Sequence, residues 1–281
     1  MGKESNAHCS VIIVTHNSQQ HISKCIEALE KQTRVPDWIG IIDSGSTCTE
    51  YLSQYANQSN IFLHLSEENL GFCCGNNRGM AHLPDTDYVL FLNPDAFLTP
   101  TFLEHALAYM ELPTSHQVGA LTGVLLGYKI QQDQPTGKID STGIFQSWYG
   151  RWYDRYQGEE ATQYKLVSES VPAICGALMF CRKTALDSVL LSPHEVMDST
   201  FYMYKEDIDL SMRLRQKGWQ LMFLPDLIAY HCRGWQTDRS RVPKELRRLS
   251  ARNELRLHAR LYSPYVFYSL IKYGYVQLFE K

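Results

Sequence analysis

The run Tyr88-Val89-Leu90-Phe91-Leu92 stops at Asn93-Pro94-Asp95-Ala96. An unbroken apolar run of this length is what a strand buried on both faces requires. The Pro-Asp turn after it sets a carboxylate just past the strand's carboxyl end. In an open α/β sheet, ligands bind outside those ends. The pattern occurs earlier as well, where Trp38 to Ile42 leads into Asp43-Ser44-Gly45-Ser46-Thr47. A third acidic string, Glu206-Asp207-Ile208-Asp209-Leu210, opens a helix. Acids collected at one rim suit a metal-bound diphosphate and a proton to be removed.

Working outward, Val11 to Val14 and Ile61 to Leu65 read as further buried strands. Ile22, Cys25, Ile26 and Leu29 recur at helical spacing, with Asn17 or Ser18 available as N-cap. Thr99-Pro100 opens a helix running to about Leu112. Strands alternating with helices predict a mainly parallel sheet. Val118 to Leu126 and Ala177 to Phe180 read as later strands, antiparallel additions to it. Between them residues 128–170 are polar and aromatic without clear periodicity, a length often tied to function. Leu221 to Leu224 and Leu227 to Tyr230 read as two strands broken by Pro225-Asp226. Pro243 to Tyr262 is the clearest helix.

The 281 residues are 44% hydrophobic and 20% charged, as in a globule with a sizeable core. A net charge of -3 argues against nucleic acid as a partner. None of the eight cysteines forms a C-x-x-C pair, so no zinc ribbon is expected, and a reducing compartment fits. The N-terminus is polar up to Cys9, and no apolar run approaches a membrane span. The expected location is cytoplasmic, peripheral at the membrane's inner face. Lys244, Arg248, Arg252, Arg256 and Arg260 repeat every four residues beside Leu249, Leu257 and Leu261, with an aromatic tail beyond. Such a helix suits an anionic membrane surface, and equally a solvated face with a docked tail.

Each acidic motif admits two chemistries. Asp43 can cap its turn or accept from a pyrimidine NH. Val14-Thr15-His16-Asn17-Ser18 reads as a strand–helix turn with an N-cap. Gly71, Gly75 and Gly79, within Glu68-Asn69-Leu70-Gly71-Phe72-Cys73-Cys74-Gly75-Asn76-Asn77-Arg78-Gly79, fail the dinucleotide fingerprint. Their fourfold spacing puts them on one helix face, where they permit tight packing. Asp95 can bind a divalent cation, and Asn93 ribose or a metal-bound water. Asp209 and Arg213 are four apart on a helix, a structural pair. His231, after a strand, is a metal ligand or a packed imidazole.

In this order and spacing the motifs resemble an inverting glycosyltransferase of the family 2 type. The glycine string and Asn93-Pro94-Asp95, in place of the commoner D-x-D, resemble the branch that includes bacterial rhamnosyltransferases. The resemblance runs from about Val11 to about His258. Ile139-Asp140-Ser141-Thr142-Gly143, Gly176-Ala177-Leu178-Met179 and Arg252-Asn253 match it too. It implies a GT-A fold, Rossmann-like α/β with a mostly parallel central sheet and a C-terminal helical extension. The expected division is 1–238 for the transferase domain and 239–281 for a basic helix and aromatic tail.

The resemblance also implies roles. Thr15, Asn17, Asp43, Gly71, Asn77 and Asn93 would bind the donor, dTDP-rhamnose or a UDP-hexose. Asp95 and His231 would hold Mn2+ or Mg2+. Asp207 would be the general base. Gly176, Ala177 and Glu206 would face the acceptor, a glycan or lipid-linked hydroxyl; of the aromatics between the two matching runs, Trp148 would stack on its sugar rings, or else simply pack in core or rim. A degenerate transferase that only binds nucleotide sugars is the alternative, with Asn93 as its mark. A nucleotidyltransferase is disfavoured, because Thr15-His16-Asn17-Ser18 lacks a Gly-rich, cationic loop.

Overall fold

A computed structural model describes residues 7–232 and 243–279. Its strands are β1 (Cys9–Thr15), β2 (Trp38–Ser44), β3 (Ile61–Ser66), β4 (Tyr88–Leu92), β5 (Ala96–Leu98), β6 (Val118–Lys129), β7 (Gln134–Ser141), β8 (Ile144–Gln146), β9 (Trp152–Asp154), β10 (Glu169–Ser170), β11 (Leu178–Arg182) and β12 (Gln220–His231). The helices are α1 (Ile22–Glu30), α2 (Gly71–Ala81), α3 (Phe102–Met110), α4 (Lys183–Asp187), α5 (Glu206–Gln216), α6 (Lys244–Arg260) and α7 (Val266–Leu278). One large sheet runs β10-β12-β6-β11-β4-β1-β2-β3, with β5 beside β12 and β7 beside β6; β8 and β9 form a separate hairpin.

The β3-β2-β1-β4 half is parallel, as the alternating pattern demands. β1, β2 and β4 are buried along nearly their whole length, so continuous apolar runs suit them. Beyond β4 the sheet turns mixed, with β11 the antiparallel addition expected of Ala177 to Phe180, whereas β6 runs in the parallel sense beside β12. β11 lies antiparallel to β4 and β6, and β10 antiparallel to β12, while β12 and β6 are parallel. The sheet is mixed because β11 is not preceded by a crossover helix that would return the chain in the parallel sense.

Two local expectations change. Helix α1 has His21 as N-cap, and the Ser18 carbonyl, not a side chain, receives the first amides. β12 is one strand across Pro225, because its register against β6 shifts between Phe223 and Ile228. A bulge there removes the need for an N–H that proline lacks. Opposite it stands Gly123, where a Cβ would lie 1.9 Å from the Leu227 carbonyl oxygen.

The glycine stripe does what its spacing predicts. A Cβ on Gly75 would meet Val14 Cγ1 at 2.6 Å, and one on Gly79 would meet Ile12 Cγ2 at 2.5 Å. Helix α2 therefore lies directly on β1. The expected boundary at 238/239 falls among residues 233–242, outside the described residues, as does Arg233-Gly234-Trp235 after His231. On its far side, Leu257 of α6 is fully buried in the same core as the sheet.

Candidate active site

The register of three strands brings the metal-type ligands together. After β4 the turn Asn93-Pro94-Asp95 reverses the chain into β5, whose Ala96 pairs with His231 at the end of β12. The Cys232 amide donates to the Asp95 carbonyl, 2.9 Å, and locks the two ends. His231 Nε2 then lies 3.2 Å from Asp95 Oδ1 and 3.3 Å from Asn93 Nδ2. On its other side His231 Nδ1 is 2.7 Å from Asp140 Oδ2. Burial opposes charge on His231, but Asp95 and then Asp140 outweigh it and push the imidazole up to about 9. Burial likewise works against Asp95, and the charge and hydrogen bond of His231 overcome it, holding that carboxyl below its usual range.

Asp207 sits in the first turn of α5. Its Oδ2 accepts from the Gly176 amide at 3.1 Å and its Oδ1 from the Ile208 amide at 2.8 Å. The carboxylate is thereby aimed by backbone rather than by another side chain. Glu206 beside it is buried, and its Oε2 has no hydrogen-bond partner. Burial, then the charge of Asp207, raise the Glu206 carboxyl to about 8. The loop before α5 is strained: Tyr202, Tyr204 and Lys205 all have positive φ (64°, 70° and 77°). What holds it is Asn253 of α6, whose amide donates to the carbonyls of Phe201, Met203 and Tyr204 at 2.7, 2.8 and 3.0 Å.

These groups share one cleft of about 320 Å3, lined by Asn93, Asp95, Gly176, Ala177, Glu206, Asp207 and His231. Phe72, Trp152, Tyr153 and Asp154 complete its walls. Trp148 is elsewhere: it is 87% exposed in the β8–β9 turn, edge-on to Tyr149, which packs on Tyr268 of α7. A larger hollow, about 650 Å3, lies at the opposite end of β4 around Tyr88, Glu111 and Arg182. Arg182 there donates to Val118, Met110 and Ser115 carbonyls, a structural use.

Several residues expected at the donor are turned inward. Asp43 is fully buried, its Oδ2 accepting from the Ser46 amide at 3.0 Å and its Oδ1 from the Ser46 hydroxyl at 2.5 Å. Both oxygens serve the turn that follows β2. Thr15 is also fully buried, 3.3 Å from the Tyr51 hydroxyl. The Asn77 side chain is taken up by the loop before α5: its Oδ1 accepts from the Val196 and Met197 amides, and its Nδ2 donates to the Met197 carbonyl. Gly71 has φ 71° and lies under Tyr202, whose ring a Cβ would touch at 2.4 Å. Asn17, at φ 52°, stays exposed and accepts from Thr47 through its side-chain oxygen.

The basic stripe of α6 is largely spent within the protein. Arg248 donates to the Gln277 carbonyl, Arg256 to Thr200, and Arg260 pairs with Asp198 and Asp209. Asp209 also pairs with Arg213 at 2.8 Å, as its spacing predicts. Asp140, Asn253 and Tyr51 are the contributors the sequence left without a role. Asp140 and Asn253 lie in stretches that match the family, but their partners are far along the chain, so the motifs gave them no role.

Among the described residues no three His, Cys, Asp or Glu side chains gather as a self-sufficient metal site. Asp95 and His231 nevertheless fit one. A carboxylate oxygen and an imidazole nitrogen already share one side of the cleft, and that donor pair suits a divalent ion completed by phosphate oxygens.

The fold and this cleft define a GT-A transferase. The glycosyl transferase family 2 profile matches residues 10–190, and the chain belongs to that family. Its relatives include an N-acetylglucosaminyl-diphospho-decaprenol L-rhamnosyltransferase of Mycobacterium tuberculosis, 24% identical over 82% of this chain and 77% of that one. The rhamnosyltransferase WbbL of Escherichia coli is 26% identical over 79% of this chain and 82% of its own. Among solved structures, GalNAc-T7 with UDP, GalNAc and Mn2+ superposes with TM-score 0.74 at 17% identity, covering 98% of this chain, which spans 52% of that one. A mannosyltransferase of Pyrobaculum calidifontis with GDP-Man and Mn2+ gives TM-score 0.62 at 16% identity, covering 98% of this chain and 71% of that one.

Proposed function

We propose that this protein transfers a sugar, with inversion, from a nucleoside diphosphate donor to a hydroxyl of a lipid-linked glycan. The observation that carries the reading is that Asp95, His231, Asp207 and Gly176-Ala177 line one cleft together. Asp207 takes the proton of the acceptor hydroxyl. The oxygen attacks the anomeric carbon, the bond to the diphosphate breaks, and the leaving group carries off the electron pair. Asp95 and His231 would hold Mn2+ or Mg2+, which supplies neutralising charge for the departing diphosphate. Asn93, beside His231, would meet the donor's ribose or phosphates. The likeness to the two rhamnosyltransferases supports dTDP-rhamnose as donor, with a UDP-hexose next.

The acceptor side also supports an encounter at the cytoplasmic face of a membrane. No helix among the described residues is long and apolar enough to cross one. Helix α7, however, exposes Phe267, Leu270, Ile271, Tyr275 and Leu278 along one face. That face, rather than the committed arginines of α6, would touch lipid. Ile271→Glu with Leu278→Glu should abolish co-flotation with anionic vesicles; unchanged flotation would remove the membrane from the reading.

The deciding assay follows radiolabelled transfer from dTDP-rhamnose and UDP-hexoses to a polyprenyl-diphosphate-linked GlcNAc. Asp207→Asn should lower kcat by about 10²–10⁴ while donor binding persists. Nucleotide-sugar binding with no transfer by the wild type would favour the degenerate, binding-only alternative.

A further inference from the structure

Asp140 contributes a buried carboxylate that the reaction outlined above does not use. It is 1% exposed, and His231 is 3% exposed. Strand β7 carries it beside β6, yet regular pairing would not give it this position. Leu125 pairs with Ser141 and the next residue, Leu126, pairs with Ile139. Asp140 is therefore the extra residue of a β-bulge. Bulges re-aim a side chain, and they recur beside active sites. This one turns the carboxylate onto His231 Nδ1 at 2.7 Å. The second oxygen, Oδ1, accepts from Gln157 Nε2 at 3.3 Å, which limits rotation of the carboxylate.

An ionised carboxylate can only accept a hydrogen bond, so Nδ1 must be the nitrogen that donates. Nε2 is then the nitrogen left to face Asp95. A carboxylate behind a ligating imidazole fixes the ring's orientation and tautomer and makes it a better ligand. We propose that Asp140 is a positioning residue, bulged out of β7 to hold His231 with Nε2 directed at the cation shared with Asp95. The inference rests on the reading of Asp95 and His231 as the cation site.

The test is Mn2+ affinity, followed by the EPR signal of free Mn2+ during titration of the full chain. The variants are Asp140→Ala, Asp140→Asn, Asp95→Ala and His231→Ala, with circular dichroism and Tm confirming that each is folded. Asp140→Ala should weaken Mn2+ binding about tenfold to a hundredfold. Asp140→Asn retains an acceptor oxygen and should recover part of that loss. It also serves if the alanine variant does not fold. A merely structural Asp140 would lower Tm and leave Mn2+ affinity within twofold of wild type, which would overturn the inference while the cation site stands. Mn2+ binding unchanged in Asp95→Ala and His231→Ala, or absent in the wild type, would instead overturn the site itself and this inference with it.

Discussion

The ends of β1 and β2 and the ends of β4 and β12 share one rim of the sheet, yet they are finished in opposite ways. At the first pair, Asp43 turns back and spends both oxygens on Ser46. At the second, Asp95 meets only a histidine side chain that is itself contested by Asp140. The sequences look alike, an apolar run followed by an aspartate. What separates them is the residue three positions on. Ser46 supplies an amide and a hydroxyl to Asp43, which closes a local turn. Asp95 follows a proline and leads straight into a paired strand, so the only local donor to its carboxylate is its own backbone amide, and its side-chain partner, His231, comes from a distant strand. An acid whose bonds close locally builds shape, and one left open is available for chemistry.

The largest test of this contrast is Asp95→Ala. Transfer should fall about 10²–10³-fold, the loss typical of removing one electrostatic stabiliser of the leaving group. Tm should move little, because the one distant side chain the carboxylate binds is His231 at the cleft and its other hydrogen bond is to its own backbone. A large drop in Tm with activity retained would erase the distinction between the two ends.

Asp43→Ala should do the reverse. Losing two bonds to a buried carboxylate costs about 2–3 kcal/mol, which in a chain this size is a Tm fall of roughly 4–10 °C. Donor KM should rise only as the loop loosens. A tenfold higher KM with unchanged Tm would mean that Asp43 touches the base itself.

Next in size is Gly75→Ala, which presses a methyl group onto Val14. Overpacking of this kind costs about 1–3 kcal/mol, measured as a lower urea midpoint. No change would show that α2 can lift off β1 freely.

The subtlest test is of pH. The Glu206 carboxyl is raised to about 8, above its ordinary value. The stability it contributes is full at acid pH, below its unfolded value, and is lost as pH climbs through about 8. Glu206→Gln cannot ionise, so its Tm relative to wild type should rise steadily from about pH 5 to about pH 8. A difference that stays flat over that range would mean that Glu206 is solvated and charged throughout.

Much of this was legible in the chain. β4 is found where the apolar run puts it, and the glycine stripe packs as its spacing implies. Buried parallel strands and close helix–strand contacts leave local signatures. Asp95, His231, Asp207 and the Gly176-Ala177 floor do converge on one cleft. The partners of Asn77 were not legible: its amide is held by Val196 and Met197, more than a hundred residues further along the chain. β8, β9 and β10 escaped because strands of two or three residues carry no period, and the longer β7 because the bulge at Asp140 disrupts the alternation that would mark it. Trp148 was placed by aromatic composition alone, which says nothing about direction.

One feature of α6 bears on when the protein becomes competent. Chains emerge from the ribosome N-terminus first. Asp95, Asp207 and His231 are all synthesised before Asn253, the residue whose amide gathers the carbonyls of the strained loop ahead of Asp207. A nascent chain stalled short of Asn253 would carry every cleft carboxylate named above and still lack the brace on the loop that leads to Asp207.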